Sequence, residues 1–383
     1  MLENLQPAPK IDAPVGWKPA VEFNGSEGEA TTNGYAVEDR PNFDEFLLDA
    51  GFDPAEIEIV GEPRTSRWQR YDGTWLTAYR FRFRKITSVI DLPLLYSQAK
   101  RTKYTKPKTE LNDKALVVLW SDLQVGKVAS RGGVAELIQR VHEKTEALIA
   151  FAKKEKISRV IFCDVGDTIE NFGNAANLAQ LQSNDLSLMA QVDLATTLAW
   201  ETLKQLSKLA PEVTYASVGS NHCQWRVSKQ RVGTPTDDWA IHIGRTLARL
   251  SNEVGLGIKF LEPHRDDESL IVDVFGDNFH RLGLAHGHQA NRPEGVPNWW
   301  KAQAFGNQPV AAATILASGH FHHLRVQEIA STERGSSRYW VQAATLDNGS
   351  DWYRLTSGED SAPGLVCFVL EKNVEFTGTV VKL

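Results

Sequence analysis

Apolar and polar positions change rhythm along the chain, and each rhythm predicts a different kind of structure. Residues 1–36 carry no apolar periodicity; Pro7, Pro9, Pro14, Pro19 and a Gly/Ser/Glu/Thr-rich run from Gly25 to Gly34 read as a loose tail. In NFDEFLLDAG, Phe43, Phe46 and Leu47 fall at helical spacing between a capping Asn42 and a terminating Gly51, which predicts one short helix. Two β-prone runs, Arg67–Tyr71 and Thr74–Arg84, flank Asp72-Gly73, a dipeptide that favours a tight hairpin turn. Alternation assigns Trp75, Thr77, Tyr79, Phe81 and Phe83 to one face of the hairpin, and Leu76, Ala78, Arg80, Arg82 and Arg84 to the other. Residues 37–96 are therefore expected to form a small α+β accessory domain with an aromatic and a cationic face, joined by a basic linker over 97–114.

From Ala115 short apolar strands alternate with amphipathic helices, the pattern of an α/β layered domain over 115–383. Strands are expected at Ala115–Trp120, Arg159–Cys163 and Val213–Val218. Between the first two, Val134, Leu137, Ile138, Val141, Leu148, Ile149 and Ala152 recur at helical spacing and complete a βαβ unit. Helical patterns also run from about Leu178 to Leu209 and near Asp237–Asn252. Beyond residue 257 come strands at Leu270–Val274, Leu282–Ala285, Thr314–Ala317, Tyr339–Gln342 and Leu365–Leu370, with few strong helices between them.

Composition narrows the class. A chain of 383 residues, 42% apolar and 23% charged, can bury one large core and a smaller one, which excludes a hormone-like peptide or a fibrous chain. No apolar run approaches about 18 residues and MLENLQPAPK lacks the features of a signal peptide, so neither membrane association nor export is expected. Three scattered cysteines, Cys163, Cys223 and Cys367, fit a reducing compartment, with the cytoplasm as the expected location. The formal net charge of −6 is unevenly spread: residues 1–61 carry 3 basic and 13 acidic side chains, residues 62–108 carry 12 basic and 3 acidic. Such a basic block suits a polyanion and equally a solvated charged face.

Five times, residues with ligand chemistry follow an apolar strand. Asp122 and Gln124 follow VVLWS, Gly166-Asp167 follows VIFCDV, Asn221-His222 closes the loop after VTYASV, His286-Gly287-His288 follows LGLA, and Gly319-His320-Phe321-His322 follows ILAS. Loops at the carboxyl ends of strands in an α/β sheet share one crevice, so these distant positions become neighbours. Carboxylates, imidazoles and an amide gathered there make a metal site of mixed oxygen and nitrogen ligands. Each piece alone is an ordinary turn sequence; their succession carries the signal.

In order and spacing this succession resembles the calcineurin-like metallophosphoesterases, whose pattern is D-x-H, G-D, G-N-H-[D/E], H and G-H-x-H, and the match covers roughly residues 115–350. The resemblance implies a calcineurin-like four-layer α-β-β-α sandwich, two divalent metal ions and a metal-bridging hydroxide as nucleophile. Carried across position by position, Asp122, Asp167 and His322 would serve one metal, with Gln124 in the remaining ligand position, and Asp167, Asn221, His286 and His320 the second, Asp167 bridging. His222 would be the catalytic group facing the phosphate, donating a proton to the leaving oxygen or stabilising developing charge. Three positions depart from the family. Gln124 replaces a histidine and offers a neutral carbonyl oxygen or no ligand, which moves the preference toward manganese, with Mg, Fe or Zn as other candidates. Ser220 separates Gly219 from Asn221, and Cys223 replaces the acid that orients the histidine, so orientation must come from elsewhere.

The additions to this core bear on the substrate. The basic hairpin and linker, Arg226 with Lys229 and Arg231, and Trp299-Trp300 suit an extended nucleic acid, which needs backbone neutralisation and base stacking. The two tryptophans suit core packing as well, and the three cations a solvated loop; His288 is a phosphate-binding candidate or a turn histidine. The expectation is a Mn-dependent DNA nuclease resembling the double-strand-break repair phosphodiesterases of that superfamily. The tail-plus-hairpin arrangement is also similar to metallophosphoesterases encoded by actinobacterial phages, which implies the host cytoplasm. The alternatives are a phosphatase or cyclic-nucleotide phosphodiesterase, or a nucleic-acid-binding protein weakened in catalysis through Gln124 and Cys223.

Overall fold

A computed structural model of the chain describes residues 18–24, 27–36, 42–54, 57–70, 72–85, 107, 110–172, 183–227, 230–277, 279–333, 335–351, 354–355 and 361–383. The chain divides into two compact units, Met1–Val89 and Ile90–Leu383.

In the first unit the predicted hairpin is the centre of a five-stranded antiparallel sheet. Strands β1 (Ala20–Phe23), β2 (Glu27–Thr31) and β3 (Tyr35–Ala36) precede helix α1 (Phe43–Asp49), and β4 (Ile57–Gln69) turns through Asp72-Gly73 into β5 (Trp75–Lys85). β5 is flanked by β4 on one edge and by β2 and β3 on the other. The Asn42 side chain caps α1 by accepting the Asp44 N–H at 3.0 Å. Phe81 and Phe83 are buried with Ala30, Leu47 and Ile57, and Phe43, Phe46 and Phe52 pack against them.

Two expectations change here. Residues 20–24 and 27–36 are not loose, because β1 pairs with β2, and β2 and β3 pair with β5, through main-chain hydrogen bonds, which side-chain composition does not reveal. Residues 1–17 of the expected tail lie outside the described residues. The faces of β5 are also not uniform: Leu76 and Ala78 are buried, while Trp75 is 46% exposed. The chain at Gly34 lies over this end of the sheet so closely that a Cβ there would stand 2.6 Å from the Trp68 ring and 3.3 Å from Leu76 Cβ. Farther along, Arg80, Arg82 and Arg84 do face solvent, with Glu29 beside the first two and Glu58 against Arg84. Of the expected linker over 97–114, only 107 and 110–114 are described, and Lys114 already opens the first strand of the second unit.

The second unit is built on two mixed sheets. Strands β6 (Lys114–Trp120), β7 (Arg159–Asp164), β8 (Glu212–Ser217) and the later β11 (Lys259–Leu261) run parallel, and β17 (Val366–Glu371) and β18 (Val381–Lys382) close that sheet antiparallel. The second sheet has the order β12 (Ser269–Asp273), β13 (Arg281–Ala285), β14 (Ile315–Ser318), β16 (Ser337–Gln342), β15 (Arg325–Ser331). Alternation along β6 explains the layering. Leu116, Val118 and Trp120 join a core with helices α2 (Val134–Glu155), α3 (Leu188–Ser207) and α4 (Trp239–Val254). Ala115, Val117 and Leu119 join a second core with Leu282, Leu284, Ile315, Ala317 and Val341 of the other sheet. The far face of that sheet, through Ala285, Leu316 and Trp340, packs on helix α5 (Gly295–Phe305) and the 3-10 turn Pro309–Ala312. Helix, sheet, sheet, helix is the calcineurin-like four-layer sandwich that was expected.

Helix α3 begins at Leu188 rather than near Leu178, because the Ser187 hydroxyl caps it by accepting the Ala190 N–H. Residues 178–182 of that expected helix lie outside the described residues. A short two-stranded ribbon, β9 (Arg226–Val227) with β10 (Gln230–Arg231), projects after β8, with Lys229 outside the described residues. No described helix is long and apolar enough to cross a membrane. All three cysteines are buried and free.

Candidate metal centre

The five ligand-bearing loops leave the carboxyl ends of β6, β7 and β8 in one sheet and of β13 and β14 in the other. They meet because Asp122 and Asp167 are turned by left-handed backbone: φ is 50° at Asp122, 45° at Gln124, 49° at Asp167, 72° at His320 and 63° at His322. Of nine non-glycine residues in this costly region among the described residues, five stand at expected site positions and mark a place where local strain is tolerated for geometry. The two glycines beside them leave room for that geometry. At Gly166, with φ of 101°, a Cβ would stand 2.5 Å from Ser220 Cβ and 2.7 Å from His286 Nδ1. At Gly319 it would stand 2.5 Å from Asp122 Oδ2. Gly166→Ala is therefore expected to displace His286 and weaken Mn²⁺ binding by about 10- to 100-fold in calorimetric titration, a loss typical of disturbed ligand support; an unchanged isotherm would show that the loop absorbs the methyl group.

Asp167, His286 and His320 place their ligand atoms within 4.8 Å of one another. Ligands bound about 2.1 Å from one ion stand no more than about 4.2 Å apart, so this cluster fits a metal ion after closing by tenths of an ångström. His286 is fully buried, with Nδ1 against the Val165 carbonyl at 2.8 Å. That bond leaves Nε2 facing Asp167 Oδ2 at 3.0 Å and Asn221 Oδ1 at 2.9 Å. Burial presses the His286 ring toward neutrality, but the Asp167 and Asp122 carboxylates and the Val165 carbonyl together raise the group to about 9. Burial likewise pushes Asp167 up, and the imidazoles of His286 and His222 overcome it and hold the carboxyl well below its ordinary range. Burial and the neighbouring His286 keep His320 far below its ordinary value, neutral with a lone pair free to ligate.

Asp122, fully buried, accepts the Ser121 hydroxyl and, through both carboxylate oxygens, the His320 main-chain N–H at 3.1 Å. Its Oδ1 is 3.4 Å from His322 Nε2. Burial raises the Asp122 carboxyl, opposed by the imidazoles of His322 and His286. Gln124 lies on the same loop, with Nε2 3.4 Å from His222 Nε2 and its carbonyl oxygen against the Lys127 ammonium.

His222 sits beside this cluster. Its main-chain N–H donates to Asp167 Oδ1 at 2.9 Å, and Nε2 is 3.9 Å from Asp167 Oδ2. Ring Nδ1 is 3.3 Å from the Glu170 carboxylate and 3.1 Å from the Glu170 carbonyl. Asn171 adds a bond from Nδ2 to the His222 carbonyl at 2.8 Å. The ring is thus oriented by the Glu170 main-chain carbonyl, with the Glu170 carboxylate as a nearby charge, and not by Cys223, whose thiol burial pushes far above its ordinary range. Burial disfavours the charged ring, but Asp167 and Glu170 raise His222 to about 10.

Sequence reasoning missed Glu170, Lys127 and Asp347. Lys127 Nζ donates to Asp347 Oδ2 at 2.7 Å, and that carboxylate also lies 3.5 Å from His322 Nδ1. An acid three residues past Asp167, in a run otherwise apolar or hydroxylated, was the available signal for Glu170. Asp347 had none, since it arrives on the loop after β16. Asp164 accepts from Tyr215 Oη at 2.8 Å, Thr168 Oγ1 at 2.9 Å and the Gly166 N–H at 3.1 Å, and so braces the loop that carries Asp167.

The expected substrate-binding residues separate. The His288 ring lies 5.5 Å from His286 and 6.3 Å from His320, with Nε2 3.3 Å from Gln224, which in turn accepts from Arg226 at 3.1 Å. Burial and the nearby His286 lower His288 to about 4, so it is neutral at physiological pH. Trp300 is only 4% exposed and its indole N–H is spent on the Val310 carbonyl at 3.0 Å, so its ring is core and cannot stack on a base. Trp299 packs half-buried against the same cluster. Arg231 pairs with Glu268.

No protein-family model and no curated protein matches the chain. Among solved structures it is similar to a conserved protein of Streptococcus pneumoniae described as a predicted phosphoesterase, at 11% identity over 70% of this chain and 97% of that one, with a TM-score of 0.24. It is also similar to PhoD, at 10% identity over 70% of this chain and 66% of that one, with a TM-score of 0.32. A protein assigned as a 5′-nucleotidase from Staphylococcus aureus, in complex with alpha-ketoglutarate, gives 12% identity over 68% and 51% of the two chains and a TM-score of 0.28. At such identities and scores these likenesses say nothing about substrate, and the centre has to be read from its own side chains.

Proposed function

We propose that the protein is a metal-dependent phosphodiesterase and that it acts on DNA. The observation that carries the hydrolase is the convergence of Asp167, His286 and His320 with a histidine, His222, held against Asp167 and backed by Glu170. A bound divalent cation would supply Lewis acidity toward a phosphoryl oxygen and an activated water. The chain's own part is to hold that cation through Asp167, Asn221, His286 and His320, and to place one proton donor, His222, beside it. The Asp167 and Glu170 carboxylates favour the charged imidazole against burial, which suits His222 to give a proton to the leaving oxygen.

The DNA assignment is supported by charge. Arg80, Arg82 and Arg84 form a solvent-facing row on β5, within a segment carrying 12 basic and 3 acidic side chains over residues 62–108. Manganese is favoured because the donor set mixes carboxylate and amide oxygens with imidazole and contains no thiolate. Protein supplied with Mn²⁺ is expected to hydrolyse bis(p-nitrophenyl) phosphate and to cleave DNA. Hydrolysis of the small ester with DNA left whole would remove the DNA assignment; DNA retention without any cleavage would remove the enzyme. Replacing Arg80, Arg82 and Arg84 together by Ala should lower DNA affinity and reduce its salt slope by up to about 0.9 for each phosphate no longer neutralised. An unaltered slope would take the first unit out of DNA binding.

A further inference from the structure

We propose that this chain binds one divalent ion, through Asp167, Asn221, His286 and His320, and that the Lys127 ammonium takes the electrostatic role of a second. The proposal rests on the centre being a phosphoesterase site. Lys127 follows Gln124 by three residues, and its Nζ donates both to Gln124 Oε1 and to Asp347 Oδ2, the latter at 2.7 Å. The carbonyl oxygen is the only atom through which Gln124 could ligate a cation, and a cation already holds it. The amide nitrogen points the other way, 3.4 Å from His222 Nε2.

The remaining residues of the would-be second position are bonded within the protein, Asp347 to the ammonium itself. The side chain of Asp347 is 0% exposed and that of Lys127 13%, so this ion pair is shielded from water, and Asp347 also serves His322 Nδ1 at 3.5 Å. Both Asp122 oxygens accept the His320 N–H, and one also takes the Ser121 hydroxyl. Asp167, His286 and His320 gather into a ligand cluster, and Asp122 and His322 are not part of it. A second divalent ion would have to displace an ammonium anchored by a buried carboxylate, or sit beside it against repulsion that low-dielectric surroundings strengthen. With the ammonium in place, a substrate phosphate finds one positive centre at the metal and another at Lys127, which chelators cannot remove.

Counting metal decides this. Protein stripped with chelator, reloaded with Mn²⁺ and desalted is assayed by elemental analysis and electron paramagnetic resonance. The expected result is one ion per chain with the spectrum of magnetically isolated Mn²⁺. Lys127→Gln, which retains a donor for Asp347 but not the charge, should take up a second ion at least tenfold more tightly and show exchange coupling between the two. Two coupled ions in the unaltered protein would overturn this inference and leave the phosphoesterase reading standing, whereas no bound ion would overturn both. One ion in both proteins would remove the role given to Lys127. Should Lys127→Gln fail to fold, the count and spectrum of the unaltered protein still decide between one ion and two.

Discussion

Asp167→Asn is expected to abolish tight metal binding and turnover while the fold survives. The carboxylate is 1% exposed, with Oδ2 3.0 Å from His286 Nε2 and Oδ1 accepting the His222 N–H at 2.9 Å, and the residue's own N–H donates to Ser220 Oγ at 2.8 Å. An amide keeps the shape and one acceptor oxygen but loses the charge around which three imidazoles are arranged. Without that carboxylate the cluster offers a cation only uncharged donors, imidazole and amide. Mn²⁺ affinity should fall by about 100-fold or more and bis-ester kcat/KM by roughly a thousandfold, on the scale seen when a group that anchors catalytic machinery is removed. Calorimetry and steady-state kinetics check this, with near-ultraviolet circular dichroism reporting the fold. Affinity within about threefold of the unaltered protein would mean that Asp167 is not a ligand.

The same residues show what could be read in advance. β6 is apolar at six consecutive positions, Ala115–Trp120, and such a run belongs to a strand covered on both faces; its odd and even positions indeed enter different cores. Ligand-type side chains just past such strands were legible for a related reason, since strand ends fix where loops emerge. Lys127 and Asp347, 220 residues apart, were not legible, because a charge in a loop looks alike whether it meets water or a buried partner. The pairing of residues 27–31 and 35–36 with β5 was hidden as well, because edge pairing uses the backbone, which every sequence carries. Trp300 gave no local clue to choose between stacking and packing; the Val310 carbonyl that receives its N–H decides it.

Glu170→Gln is the second substitution with a large expected effect, and it separates positioning from metal binding. Glu170 is 5% exposed and has its carboxylate 3.3 Å from His222 Nδ1, on the side of the ring away from Gln124. It is not part of the cluster formed by Asp167, His286 and His320, so Mn²⁺ affinity should stay within about threefold. Turnover should fall by about 10- to 100-fold, because the ring loses the carboxylate that keeps it charged, while the Glu170 main-chain carbonyl 3.1 Å from Nδ1 remains. The sign of the pH effect follows from the same contact. Asp167 and Glu170 together raise His222 to about 10 against the opposing effect of burial, so removing one carboxylate lowers it, and the proton-donating form is lost at a lower pH. The alkaline limb of the kcat profile should therefore move toward neutrality, while the acidic limb, which His222 does not set, stays in place. His222→Ala alone should reduce turnover by about 100- to 10,000-fold, the range for a general acid. If Glu170 acts only through His222, adding Glu170→Gln to His222→Ala should cost almost nothing further. A full additional loss in that background, or an alkaline limb that does not move, would show that Glu170 merely supports the loop and leaves the histidine oriented by something else.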